Sequence, residues 1–295
     1  MKAKAAAIAA GALALTLGTT MAASANDGPV TVGTAHAVSQ HSSRSAFSAS
    51  PNAAAAAEPI WALGIDGRDS AGNLWDYGPR ANGGFDSKEN MGNGFGPAKA
   101  LFKNNPANDE NVNLYANFGG TLHMYPGNKV IGTGWSIYNT FVTPGNLGGA
   151  AYPDLLARDS AGVLWEYLSN KDGTFTGRRK VGGGWNAFTQ ITGRGDLNGD
   201  GKPDIVARDK SGVLWMYKGT GLADAPLNGN RVRIGGGWNT YNKILGLGDS
   251  NGDAVNDLIA RDSAGVLYVY AGTGTGGFHA RAKIGTGWNA FNYLF

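Results

Sequence analysis

The chain has no cysteine, and only 16% of its 295 residues are charged. Without thiols there is no disulfide framework and no thiolate metal centre. The low charge also argues against a long-helix or coiled-coil protein, which would be rich in Ala, Glu, Lys and Leu. Histidine and glutamate are scarce as well: His36, His41, His123 and His279, and Glu58, Glu89, Glu110 and Glu166. There is no G-x-S-x-G elbow, no H-E-x-x-H pair and no cysteine nucleophile, so a non-catalytic protein is expected. Glycine, by contrast, is abundant, with 48 residues or about 16%. Aromatics at 10% and hydrophobics at 42% argue against global disorder. Many turns and aromatic-rich strands predict an all-β fold.

Residues 1–25 read as a secretory signal. Lys2 and Lys4 precede an apolar run over 5–18, and Ala23-Ser24-Ala25 supplies a small-residue cleavage site. That run is too short for a membrane anchor, and no later segment reads as a membrane span. Residues 26–58, rich in Ala, Ser, Asn and Thr, read as a disordered linker or propeptide. A secreted, extracellular protein is expected. Without the signal, 23 basic residues face 22 acidic ones, because only Lys2 and Lys4 are lost from the 25. There is no basic stripe, so nucleic acid is not an expected partner.

An internal repeat sets the architecture. RDSAGNLWDY (68–77) recurs as RDSAGVLWEY (158–167), RDKSGVLWMY (208–217) and RDSAGVLYVY (261–270), with a worn copy, ANFGGTLHMY, at 116–125. A second phrase keeps step: VIGTGWSIYNTF (130–141), VGGGWNAFTQI (181–191), IGGGWNTYNKIL (234–245) and IGTGWNAFNYLF (284–295), with MGNGFGPAKALF (91–102) as its worn copy. Each repeat reads as four short strands. DIVARD (204–209) is one of them, with apolar alternation, and Asp-Lys-Ser-Gly (209–212) is a tight turn. Five copies over 59–295 predict a five-bladed β-propeller of four-stranded blades. The C-terminal strand is expected to complete the first blade, which closes the ring and leaves no long open edge.

Two inter-strand loops carry distinctive chemistry. DLNGDGKPD (196–204) offers Asp196, Asn198, Asp200 and Asp204 at positions 1, 3, 5 and 9, with the Lys202 carbonyl at position 7. DSNGDAVND (249–257) offers Asp249, Asn251, Asp253 and Asp257, with the Val255 carbonyl. Hard oxygen donors at alternate places around a glycine turn suit Ca²⁺, and crowded carboxylates repel one another without a cation. Asx-turns without an ion are the alternative reading. Position 6 is Gly201 in the first loop and Ala254 in the second, so the second site is expected to be the weaker. The loop containing Asn146 and Asp154 has Gly148 and Ala150 where ligands belong, and 104–111 lacks the spacing; no metal is expected at either.

The acidic loop followed by DIVARD resembles the FG-GAP/VCBS repeat of integrin α-chain-type propellers. That resemblance implies a calcium loop joining two strands of one blade. The GGGWN/GTGWN phrase, the ending ARAKIGTGWNAFNYLF and the count of five repeats resemble the tachylectin family. This second resemblance implies a five-bladed lectin for N-acetylated sugars.

Sugar sites pair aromatic platforms with amide and backbone donors. Trp135, Trp185, Trp238 and Trp288 are candidate platforms, with Asn186, Asn239 and Asn289 beside them. Blade-to-blade packing is the competing role for a tryptophan that recurs at one place. The pairs Arg68-Asp69, Arg158-Asp159, Arg208-Asp209 and Arg261-Asp262 are expected to be structural: Asp starts the turn and Arg reaches across a blade interface. The partner expected is a glycan or, alternatively, an extracellular protein.

Overall fold

The computed structural model describes residues 62–80, 83–105 and 111–295; the signal and linker expected over 1–58 lie outside them. Twenty strands form five antiparallel sheets of four strands each, arranged in a ring. Blade 1 takes β1 (Ile65–Asp69), β2 (Leu74–Tyr77) and β3 (Glu89–Gly92). Blade 2 is β4 (Ala100–Asn104), β5 (Asn113–Phe118), β6 (Thr121–Tyr125) and β7 (Lys129–Gly132). Blade 3 is β8 (Tyr138–Gly145), β9 (Asp154–Asp159), β10 (Leu164–Tyr167) and β11 (Arg179–Gly182). Blade 4 is β12 (Phe188–Thr192), β13 (Ile205–Asp209), β14 (Leu214–Gly219) and β15 (Leu227–Gly235). Blade 5 is β16 (Tyr241–Gly248), β17 (Asp257–Asp262), β18 (Leu267–Tyr270) and β19 (Ala282–Gly285). The last strand, β20 (Phe291–Leu294), pairs with β1 and completes blade 1, as the repeat order predicted.

First strands of neighbouring blades touch around blades 2 to 5: β4 with β8, β8 with β12, and β12 with β16. The fourth strands are outermost and largely exposed. Second strands lie deepest. In β13, Ile205, Val206 and Ala207 are all fully buried, so the expected alternation is replaced by a continuous apolar run. The reason is that a second strand is covered on both faces, by the blade before and the blade after; Val206 and Ala207 belong to cores on opposite sides of their sheet. Burial on both faces removes the polar-out positions that alternation requires.

The RD hairpins fold as expected. Asp209 caps its own turn: its Oδ1 accepts from the amides of Ser211 and Val213, and Gly212 closes the turn at φ 83°. Its Oδ2 accepts from Trp215 Nε1 at 2.8 Å. The neighbouring arginine makes no ion pair with it. Arg208 instead donates to the carbonyls of Trp238 and Tyr241 in the next blade. Arg158 does the same with Trp185 and Phe188, and Arg261 with Trp288 and Phe291. In the worn repeat of blade 2, Asn117 serves both purposes: its Nδ2 donates to the Trp135 carbonyl and its Oδ1 accepts from Gly120.

Candidate functional site

Each WN phrase follows a left-handed glycine, makes one 3₁₀ turn and enters the first strand of the next blade. The turn buries the indole. Trp135, Trp185, Trp238 and Trp288 are only 6–7% exposed. Each ring lies on a tyrosine of the third strand: Trp135 on Tyr167, Trp185 on Tyr217, Trp238 on Tyr270 and Trp288 on Tyr77, with centroids 4.5–4.9 Å apart. Blade packing is therefore their first role. Asn186, Asn239 and Asn289 are exposed, and each donates through Nδ2 to a hairpin carbonyl, of Ser160, Lys210 and Ser263 respectively.

At one junction the packing leaves room. An open surface hollow of about 260 Å³ is lined by Gly236, Gly237, Trp238, Thr240, Tyr241, Tyr270 and Arg281, of which the glycines, Thr240 and Arg281 are exposed. The hydroxyls of Tyr241 and Tyr270 share a hydrogen bond of 2.6 Å, and Arg281 donates to Tyr241. The Arg281 guanidinium also lies 4.3 Å over the Tyr268 ring. Burial first, then the contact with Tyr241, pushes Tyr270 up to about 12, so it stays a neutral phenol at physiological pH. The wall thus combines ring faces, two hydroxyls, a guanidinium and glycine backbone.

The junctions differ chemically. Trp135, Tyr138, Tyr167 and Arg178 repeat the same cluster, with a hydroxyl pair at 2.6 Å and Arg178 on Tyr138 at 3.0 Å. At the other two, phenylalanine (Phe188, Phe291) stands where Tyr138 and Tyr241 do, and Arg231 or Lys88 caps Trp215 or Trp75. The capping cations were missed in the sequence because they sit in variable stretches, just before the fourth strand for Lys88, Arg178 and Arg281 and within it for Arg231. The only signal was a basic residue placed at a similar distance after each repeated tyrosine.

The acidic loops lie between first and second strands, where the repeat placed them. Asp196 accepts from the amides of Asn198, Gly199 and Gly201, and Asp249 from those of Asn251, Gly252, Asp253 and Ala254. Asp204 and Asp257 are fully buried; each binds an amide of its own loop and one from the start of the next hairpin loop, Gly219 or Gly272. Burial, the largest cause, pushes Asp204 up to about 6 and Asp257 up to about 7. Asp200 and Asp253 are exposed and accept from Lys202 and Val255. Among the described residues, no three His, Cys, Asp or Glu side chains gather about one point. The donor set, all oxygen, still fits a hard cation at the first, third, fifth and seventh places. Ala254 adopts φ 70°, close to the 84° of Gly201, so the second loop accepts the strain expected of a non-glycine residue there.

The FG-GAP-like repeat family matches residues 149–207, from the loop of blade 3 through the first acidic loop into β13. No curated protein matches the sequence. Similar solved structures include an Agrocybe aegerita lectin described as specifically recognising non-reducing terminal N-acetylglucosamine. It is 17% identical over 76% of this chain and 63% of that one, with a TM-score of 0.42. AofleA from Arthrobotrys oligospora is 14% identical over 81% and 75%, at 0.45. Human WBSCR16 is 10% identical over 74% and 63%, at 0.33. The chain spans less than two thirds of the first and third of these, and the likenesses are of fold alone. The class defined is a five-bladed β-propeller, of which residues 149–207 match the FG-GAP-like repeat. Among the described residues, no helix is long and apolar enough to cross a membrane.

Proposed function

We propose that the protein is a secreted, non-catalytic, carbohydrate-binding propeller that takes one N-acetylated sugar residue in the hollow beside Trp238. The observation that carries this reading is the lining itself: aromatic rings, the Tyr241–Tyr270 hydroxyl pair, Arg281 and the Gly236-Gly237 backbone face one space of about 260 Å³. Sugars offer apolar C–H faces to rings and hydroxyls to polar donors. The volume lies just below the roughly 300–1,000 Å³ usual for ligand pockets, which suits a single ring rather than a chain. The related cluster at Trp135 would give a second, weaker contact, and repeated sites act together on a repetitive surface.

Calcium belongs to the same proposal. Asp196, Asn198, Asp200 and the Lys202 carbonyl would hold one ion; Asp249, Asn251, Asp253 and the Val255 carbonyl would hold another. The ion would neutralise the loop carboxylates. Asp204 and Asp257, at the ninth place, hold the loops to the neighbouring backbone.

The test is a glycan array with the full chain, in calcium and in chelator, repeated with Arg281→Ala. Binding of N-acetylated sugars that Arg281→Ala abolishes is the expected result. No sugar bound, with capture of a discrete extracellular protein, would replace the lectin reading with that of a protein-binding propeller.

A further inference from the structure

The blade 3 loop between β8 and β9 has Gly148 and Ala150 where the acidic loops place ligands. Yet four buried oxygens there have no hydrogen-bond partner: Asn146 Oδ1, Asp154 Oδ1 and both carboxylate oxygens of Glu166. Asp154 and Glu166 are fully buried. The Ser169 amide faces Asp154 and offsets part of its burial, without the 2.9 Å bond to Oδ1 that Gly219 and Gly272 make in the next two blades. A buried, unpaired carboxylate is costly, and two side by side cost more.

Glu166 does not come from the loop. It stands on β10, opposite Leu156 in register. Two contacts bring it to the loop's centre. The Gly148 amide donates to Asp154 Oδ2 at 2.7 Å, and a Cβ built on Gly148 would stand 3.0 Å from Glu166 Oε1. The Glu166 carboxylate therefore lies against the place from which a third-position side chain would project. Asn146, at the first place of the same loop, donates through Nδ2 to the Ala150 carbonyl, and its Oδ1 is buried without a partner.

The other blades show what is unusual. At the register of Glu166, β14 has Met216 and β18 has Val269. In blade 1 the residue is Asp76, and there Lys103 Nζ lies 3.5 Å from it and 2.6 Å from Asp66. Blade 3 has the carboxylate without an ammonium against it. Arg179 on β11 acts on both the Asp154 and Glu166 carboxylates through its charge, but its ion pair is with Asp224, at 3.8 Å. Burial first, then the charge of Asp154, pushes Glu166 up to about 8, and burial pushes Asp154 up to about 7.

We propose that Asn146, Asp154 and Glu166 form a binding site for one calcium ion in blade 3, with Glu166 supplying from the neighbouring strand what the loop has lost. The donors are all oxygen, two are carboxylates, and Glu166 offers both of its oxygens. Calcium accepts a bidentate carboxylate and an irregular shell, whereas Mg²⁺ prefers a small octahedron that keeps several waters. The half-exposed edge of the loop admits water to complete the shell.

Calcium is titrated calorimetrically into the stripped full chain, into Glu166→Gln, into an Asp196→Ala/Asp249→Ala double variant and into the triple variant. Glu166→Gln is expected to remove one equivalent from the wild type. The double variant is expected to keep one equivalent, which the triple variant lacks. In chelator, Glu166→Gln is expected to melt above the wild type, because an amide that never ionises replaces a buried carboxyl with no hydrogen-bond partner. Should Glu166→Gln not fold, Asn146→Ala is expected to weaken the remaining equivalent about tenfold. Equal stoichiometry in wild type and Glu166→Gln, an unchanged affinity in Asn146→Ala, or no calcium bound by the double variant would overturn the proposal. Loss of the acidic-loop equivalents alone would leave this site standing, so the two metal readings fail separately.

Discussion

Trp238 lies on Tyr270 with ring centroids 4.6 Å apart and planes tilted by 40°. The indole belongs to the connection that enters blade 5 from blade 4, and Tyr270 to the third strand of blade 5. Its amide donates to Gly212 and its carbonyl accepts from Arg208, both in blade 4. One residue thus joins two blades and lines the hollow.

Trp185→Ala removes the equivalent joint between blades 3 and 4. It is expected to destabilise the protein by roughly 3–5 kcal/mol, the usual cost of truncating a buried large aromatic. Chemical denaturation checks this. A cost under about 1 kcal/mol would show that the ring does not rely on these tryptophans.

Arg208→Met keeps the length of the side chain and removes its donors. The carbonyls of Trp238 and Tyr241 lose a charged partner, so stability should fall by about 2–3 kcal/mol. Asp209→Asn should cost less, because Arg208 makes no ion pair with it. The reverse order in urea denaturation would show that the Asp209 turn, and not the Arg208 bridge between blades, is what holds this phrase.

Ala254→Gly relieves a left-handed alanine at φ 70°. It is expected to stabilise the chain by about 1 kcal/mol and to tighten calcium binding at the second acidic loop. Gly201→Ala should do the opposite in the first. Calorimetry with and without calcium reads both effects.

Burial, and secondarily the charge of Arg261, lowers Lys243 to about 8. Its ammonium lies 5.4 Å over the Tyr293 ring. The native state binds this proton less readily than the unfolded chain, whose lysines titrate near 10.4. The penalty is therefore fully present below pH 8 and fades as pH rises from about 8 to about 10.4. Lys243→Met is expected to be more stable than wild type at pH 7, with the gap closing by about pH 10. A gap independent of pH would contradict this.

Much of the architecture was legible in the sequence because a propeller repeats its local signals. The RD turn, the WN phrase and the acidic loops each recur at one place, and their order located the closing strand β20. Contacts that depend on register across strands were not legible. The repeat predicts that Arg208 crosses a blade interface, but nothing local reveals that its target is the Trp238 carbonyl, or that Tyr270 covers the indole. Glu166 is the sharpest example: in sequence it varies with Asp76, Met216 and Val269 as an ordinary strand position. Only the pairing of β9 with β10 brings it to Gly148 and Asp154.

The glycan claim is tested most directly by titrating the best array hit, or N-acetylglucosamine where a single probe is wanted, into the wild type and Arg281→Ala. The account predicts saturable binding by the wild type and its loss in Arg281→Ala at an unchanged melting temperature. Equal binding by both proteins, or none by the wild type in calcium, would contradict it.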